Sequence, residues 1–437
     1  MGDARKAALT ALEKCRRLDA WSDAVLGSVM DGEHLEGRDR GLASALCYGV
    51  LQNKMLLDHI VAQLSSVPMG NIEPKVLDIL RISIYQIAFL NRIPVSAAVN
   101  EAVRLCKSYG MQRAAGYVNA VLRRAAEGKY EIPSGSDAAA LSVRYSHPLW
   151  LTKMYQDRLG SEETEVLLRC HNSLTPVTLQ VNTLRTDTQT LLSELVAQGR
   201  NAVLHPTIPD CIVLQNPGSI SGIDAFQRGD FYVQDGAAKL AVLAAEPKPG
   251  QKILDACAAP GGKSFAASII SGGADIVSCD LHENKLKRIR EGAERLGLHH
   301  LTAAAMDARA FCPEFESAFD LVIADVPCSG LGVIRKKPDI RYKDPAPFAG
   351  LPAVQSAILE NVSRYVAPGG TLLYSTCTVR REENEAVAAA FLAAHPEFAA
   401  EDFLLPDGIS GENGMLQLWP HRHQTDGFFI AKMRKQS

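Results

Sequence analysis

Apolar residues recur at three- and four-residue spacing in the first third of the chain, as in Ala7-Leu9-Ala11-Leu12, Val76-Ile79-Leu80-Ile82-Ile84 and Ala97-Val99-Ala102-Val103-Leu105. That period lays one apolar stripe along each helix and predicts helix after helix from residue 4 to about 130, with no strand alternation between them. Asp31-Gly32, Pro68-Met69-Gly70, Pro94 and Tyr109-Gly110 mark short connections, so the segment reads as an all-α bundle. Pro, Gly and Ser then cluster in EIPSGSD, 131–137, which reads as a linker.

The rhythm changes twice after that. Between 141 and about 232 a helix around 149–159, an alternating strand VTLQVNTL (177–184), a helix TQTLLSELVAQG (188–199) and a strand CIVLQ (211–215) predict a small α+β module. Beyond Gly236, apolar runs alternate with helical segments: KILDAC (252–257), DIVSCD (275–280), LTAAAMD (301–307), FDLVIAD (319–325), GTLLYSTC (370–377) and FFIAKM (428–433). Strands apolar on both sides, spaced by helices, specify an α/β domain with a parallel sheet covered on both faces. Three domains are expected, at 1–132, 140–232 and 233–437, and a length of 437 residues is more than one core usually serves.

Composition narrows the class. With 47% hydrophobic and 22% charged residues the chain is neither disordered nor fibrous. No window holds the 18 or so consecutive apolar residues of a membrane span, and charges interrupt the first helix every few residues, so neither a membrane segment nor a secretory leader is expected. The ten cysteines form no C-x-x-C pair, which fits free thiols in a reducing cytoplasm and no metal site. Residues 1–130 carry 17 Lys+Arg against 13 Asp+Glu (+4) and the remainder 29 against 36 (−7), a mild pointer to a polyanion partner for the N-terminal part.

In a parallel sheet the ligand lies beyond the carboxyl ends of the strands. After the first strand comes Ala258-Ala259-Pro260-Gly261-Gly262-Lys263-Ser264, whose glycines allow close backbone approach at a helix N-terminus. The second strand ends in Asp280, eighteen residues past Gly262, about where a carboxylate accepts ribose hydroxyls. The third and fourth end in Asp307 and Asp325. CAAPGGKS comes within one residue of the phosphate-binding G-x-x-x-x-G-K-S, so a P-loop NTPase is a rival, although Cys257 stands where the first glycine belongs and Asp280 has no part in that scheme. Two thiols also sit at strand ends: Cys328 in Asp325-Val326-Pro327-Cys328-Ser329-Gly330, and Cys377 in Tyr374-Ser375-Thr376-Cys377-Thr378. A thiolate can add to an activated double bond, and nearby Lys263 is a candidate to lower a thiol's pKa.

Together AAPGGK, DVPCSG and YSTC resemble the RNA cytosine-5 methyltransferases that use S-adenosylmethionine. RDRGLASALCYGVL (38–51), SAAVNEAVRLCK (96–107) and YVNAVLRR (117–124) resemble the NusB-like RNA-binding domain. The resemblance implies a Rossmann-like methyltransferase domain preceded by a NusB-like bundle and the small module. It places cofactor contacts on Cys257, Ala258, Ala259, Pro260, Gly261, Gly262, Lys263, Asp280, Asp307 and Asp325. It makes Cys377 the nucleophile and Cys328 the residue that resolves the covalent intermediate, with Asp325 and Lys263 assisting. The substrate it implies is 16S ribosomal RNA, at a cytosine in a loop or flipped out of a stack, methylated by a monomer. A tRNA methyltransferase and a non-catalytic ribosome assembly factor are the alternatives alongside the NTPase. Five cations in 335–343 lie beside the Pro-Cys turn and Arg380-Arg381 follow Cys377, where they would meet phosphates, and Tyr342 would stack on a base.

Overall fold

The computed structural model describes residues 3–18, 20–216 and 218–437. They form two compact units, one made of the residues up to Ser173 together with Ile334–Lys343, the other of Leu174–Val333 together with Asp344–Ser437.

The first unit is helical: α1 (Ala4–Leu18), α2 (Ser22–Gly32), α3 (Gly37–Leu64), α4 (Pro74–Phe89), α5 (Val95–Ser108), α6 (Gln112–Ala126), α7 (Ala138–Tyr145), α8 (Leu149–Leu159) and α9 (Ser161–His171). The stripes of the first six helices close on one core, in which Leu9, Leu46, Leu57, Ile79, Val118 and Leu122 are fully buried. Pro74 starts α4, where its missing N–H costs nothing, and the Asp137 carboxylate caps α7 through the N–H groups of Ala139 and Ala140.

Residues 334–343 depart from what the sequence leads one to expect. Instead of offering phosphate contacts, Arg341 is fully buried, and its guanidinium donates to Asn172 Oδ1 at 2.9 Å and to the carbonyls of Ser146 and Gln52 at 3.2 and 3.3 Å. The Tyr342 hydroxyl donates to the Leu51 carbonyl at 2.8 Å, and the Lys54 ammonium sits 4.9 Å from the centre of its ring. The Asp339 carboxylate accepts from the backbone N–H and hydroxyl of Ser22. Open carbonyls at the end of α7 are satisfied by an arginine brought from far along the chain.

The second unit begins with a four-stranded antiparallel sheet in the order β2-β3-β1-β4, made of β1 (Val177–Val181), β2 (Asn201–Leu204), β3 (Cys211–Gln215) and β4 (Phe231–Val233). Helices α10 (Thr188–Ala197) and α11 (Asp224–Gln227) accompany it, and Leu179, Leu195, Ile212, Leu214 and Phe231 form its core. There follow α12 (Gly236–Ala245), β5 (Lys252–Asp255), α13 (Gly262–Ser271), β6 (Asp275–Asp280), α14 (Glu283–Leu296), β7 (Leu301–Ala305), β8 (Phe319–Asp325), α15 (Leu351–Ser363), β9 (Val366–Thr376) and α16 (Glu385–Ala394). The chain ends in β10 (Phe398–Ala400), β11 (Phe403–Leu404), β12 (Ser410–Gly411), β13 (Met415–Leu418) and β14 (Phe428–Lys435).

The main sheet runs β10-β14-β9-β8-β5-β6-β7. Strands β5 to β9 pair in parallel, and β14 enters antiparallel to β9, so the sheet is mixed where an all-parallel one is expected from the strand and helix rhythm. The reason is the connection: β14 arrives from its hairpin partner β13 rather than through a crossover helix. Alternate residues feed two cores, Ile253, Ile323, Leu373 and Ile430 on one face, Leu254, Val322, Leu372 and Phe429 on the other. No described helix is long and apolar enough to cross a membrane.

Candidate active site

The carboxyl ends of β5, β6, β8 and β9 carry the chemistry. The turn after β5 reaches α13 through Gly261, whose φ of +108° lies in the region that favours glycine. The N–H of Ala258 donates to the Cys279 carbonyl at 2.7 Å, and the N–H of Ala259 to Asp280 Oδ2 at 3.3 Å, so the turn is fastened to the end of β6. The other Asp280 oxygen accepts from the His282 N–H at 3.1 Å and has the Lys285 ammonium 3.4 Å away, and this still leaves the buried carboxylate a lone pair to spare.

Asp325 ends β8. Lys263 Nζ donates to its Oδ2 at 2.6 Å and Ser375 Oγ to its Oδ1 at 2.8 Å. The ammonium of Lys263 also sits 4.9 Å from the centre of the Phe428 ring. Its partner is therefore the strand-end carboxylate, which corrects the expectation that it serves a thiol directly. Asp307 lies two residues beyond β7 and is held by its own neighbour: Arg309 donates to both of its oxygens, which keeps its carboxyl below the usual range. Cys257 is pushed well up by burial, and then by the carboxylates of Asp255, Asp325 and Asp280, so it stays a thiol.

The two remaining strand-end cysteines meet. Cys328 Sγ and Cys377 Sγ are 3.3 Å apart, and both residues are partly exposed. The Cys328 thiol is raised well above its ordinary value by its hydrogen bond to Cys377 and by burial, so the pair shares one hydrogen bond in which either sulfur can be the donor. The residues following each cysteine are also joined, Ser329 Oγ to Thr378 Oγ1 at 2.7 Å, and the N–H of Gly332 donates to the Cys377 carbonyl at 3.0 Å. Arg380 does not face outward unpaired. Its guanidinium bonds to Glu383 and to the Phe348 carbonyl, each at 3.3 Å.

Several residues of this site escape a motif reading. Ser375 is hidden inside YSTC, where the alternation of a strand puts it and Asp325 in register, and Glu383 is hidden in the charged run RREENE, which reads as a solvated helix start. Gln234, just after β4, has its side-chain amide against the Gly262 carbonyl and the Lys263 N–H.

The donor set tests the two cofactor chemistries. Carboxylates at 280 and 325 stand at the strand ends, and the lysine a nucleotide triphosphate would need is bound to one of them. Such a crevice repels a triphosphate and suits a ligand with hydroxyls and a positive centre, which S-adenosylmethionine has. The sheet, the glycine turn after its first strand and the carboxylate closing its second define a Rossmann-like methyltransferase of the S-adenosylmethionine-dependent class.

Comparison with known proteins carries this to a family. Residues 242–434 match the model of the 16S rRNA methyltransferase RsmB/F family, residues 2–127 that of the NusB family, and residues 147–221 that of the ferredoxin-like domain of RsmF/B-like methyltransferases. A probable ribosomal RNA small subunit methyltransferase B of Bacillus subtilis is 40% identical over 99% of this chain and 98% of its own length. A protein of the same description from Synechocystis is 33% identical over the full length of both. The crystal structure of PH0851 is similar with a TM-score of 0.82 and 26% identity, covering 99% of this chain and 98% of that one. A methyltransferase homolog from Pyrococcus horikoshii gives a TM-score of 0.58 at 28% identity over 68% of this chain and 98% of its own. The chain belongs to the RsmB/F family of 16S rRNA methyltransferases.

Proposed function

We propose that the protein methylates carbon 5 of a cytosine in 16S ribosomal RNA by way of a covalent bond between Cys377 and carbon 6 of the base. The observation that carries this reading is the pair of thiols 3.3 Å apart at the ends of adjacent strands, beside the Asp325 carboxylate. A single cysteine there is compatible with packing, whereas two facing thiols at a strand-end crevice serve a nucleophile and its release.

S-adenosylmethionine, when bound, supplies an electrophilic methyl group. Asp280 would hold its ribose hydroxyls, and the 257–263 turn would close over it, with Asp307 and Asp325 at the rim. Carbon 5 of cytosine is too weak a nucleophile on its own, and thiolate addition at carbon 6 makes it electron-rich enough to accept the methyl group. Cys377 supplies that thiolate. Asp325 has two lone-pair positions left after Lys263 and Ser375, and holds the protonated ring nitrogen of the adduct. Lys263 acts through Asp325, its ion pair at 2.6 Å holding the carboxylate aimed. Transfer of the carbon 5 proton to a water beside Cys328 then returns the bonding pair to the ring and expels Cys377 as thiolate, whose departing sulfur the Cys328 thiol stabilises by hydrogen bonding. Because carbon 6 is buried in a base stack, the target is a loop or flipped-out nucleotide.

The two cysteines have opposite signatures. Cys377→Ala is expected to abolish methyl transfer and any covalent RNA link. Cys328→Ala is expected to keep the link and accumulate a protein–RNA adduct that survives denaturing electrophoresis, and adding Cys377→Ala to it erases the adduct. Normal turnover in both single variants would reduce these residues to packing and end the proposal.

A further inference from the structure

Glu383 lies six residues past Cys377, beyond the Thr-Cys motif, and is fully buried. A carboxylate so placed needs several donors, and each of its donors leads to one of the two cysteine turns. Its Oε2 accepts from the backbone N–H of Ser329, the residue after Cys328, at 2.9 Å. The same oxygen accepts from Gln355 Nε2 at 3.0 Å, and that amide also donates to the carbonyl of Pro327, the residue before Cys328, at 3.0 Å. The Glu383 side chain thus grips the Pro-Cys turn on both sides of the thiol. Its own turn is tied to the Thr-Cys side: the Tyr374 hydroxyl donates to the Glu383 carbonyl at 2.5 Å, and Arg380 reaches Oε1 at 3.3 Å.

We infer that Glu383 is the positioning residue of the cysteine pair: it fixes the turn of Cys328 against that of Cys377 and confines the thiolate to Cys377, leaving Cys328 as hydrogen-bond donor. The inference rests on the reading of Cys377 as nucleophile. Its physical content is twofold. The clamp on Ser329 and Pro327 sets where Sγ of Cys328 points, and a negative charge beside that sulfur makes a second thiolate costly. The groups facing Cys328 are Cys377 on the neighbouring turn, Glu383, which Arg380 pairs, and Tyr374 on β9. The hydrogen bond to Cys377 and burial act most strongly on the Cys328 thiol, and the Glu383 carboxylate adds to them in the same direction. A crevice with two thiolates would offer two rival nucleophiles to carbon 6 and no donor for the departing sulfur. One charged strut outside the crevice prevents that without touching substrate.

The test uses the full-length protein without RNA, with iodoacetamide at pH 8 as the probe and peptide mass spectrometry reading Cys328 and Cys377 separately. Glu383→Gln keeps the size and removes the charge; the ratio of Cys328 to Cys377 alkylation is expected to rise about tenfold, a one-unit shift in relative thiolate population. Glu383→Asp keeps the charge and is expected to hold the ratio near that of the unaltered protein. Arg380→Gln, which strips the carboxylate of its cation at a partly exposed position, is expected to lower it. Opposite signs for Glu383→Gln and Arg380→Gln separate an electrostatic effect from general loosening, which would raise both. Methylation by Glu383→Gln is expected to show kcat reduced about tenfold with the KM for RNA unchanged. An unchanged alkylation ratio in Glu383→Gln, or a rise in both variants, overturns the inference. Methylation surviving in Cys377→Ala would instead overturn the nucleophile assignment, and the alkylation ratios would still report on Glu383.

Discussion

Asp255 illustrates how a single buried group sets a condition on the whole sheet. It closes β5, is fully buried and takes one hydrogen bond from Ser264 Oγ at 2.7 Å, which in turn accepts from Ser278 Oγ. Burial pushes its carboxyl up to about 7 from an ordinary 3.8. The folded protein therefore keeps a proton that the unfolded chain gives up as pH rises from about 4 to 7, and stability falls across that window. Asp255→Asn, which is neutral at every pH, is expected to flatten this slope and to raise the unfolding free energy at pH 8 by roughly 4 kcal/mol relative to pH 4 behaviour. Thermal unfolding at pH 5 and pH 8 checks it; an equal pH dependence in both proteins would rule Asp255 out as its source.

Among the elements, the turn after β8 and the turn after β9 are held by a third party, the start of β14. Gly332 donates to the Cys377 carbonyl, and its own carbonyl accepts from the Gly427 N–H at 2.9 Å. A Cβ on Gly332 would meet the Gly427 oxygen at 1.8 Å and the Cys377 oxygen at 2.8 Å, both backbone atoms that cannot swing aside. Gly332→Ala is expected to cost about 1–3 kcal/mol in denaturant unfolding. It is expected to lower methylation far more than that loss of folded protein explains, since it pries the Cys377 turn open; activity falling only in proportion to the folded fraction would show that the contact is structural. The sequence announces much of this level. DIVSCD and FDLVIAD are strands with the bounds their apolar runs indicate, and the glycine turn, Asp280, Asp325 and both cysteines stand at strand ends. What stays hidden depends on distant partners. The short strands β2 and β4 carry too few alternating residues to show a period, and the antiparallel entry of β14 follows from a hairpin. Arg341 and Tyr342 look like surface residues because cations and tyrosines usually are, and only His147, Asn172 and the carbonyls around them turn the pair inward.

For the molecule as a whole, a bundle of +4 attached to a remainder of −7 invites the simple experiment of removing residues 1–130 and measuring RNA binding. The division into units changes what that experiment reports. Residues 334–343 belong with the helices, through Ser22, Leu51 and Gln52 among others, so the deletion takes away their packing partners as well as the positive charge. After deletion, hydrogen exchange is expected to show loss of protection in 334–343 while β5, β6 and β8 keep theirs. Persisting protection in 334–343 would mean that the helical partners are dispensable for this segment.

That same excursion has a consequence for how the protein is made. A ribosome finishes Ser173 and then about 160 further residues before it reaches Ile334, an interval of roughly 10–30 s at ordinary elongation rates. Throughout it, the carbonyls of Gln52 and Ser146 and the side chain of Asn172 lack the arginine that donates to them in the finished protein. The N-terminal helices thus emerge first and are completed late, and a nascent chain halted before residue 334 carries a helical unit still lacking its keystone.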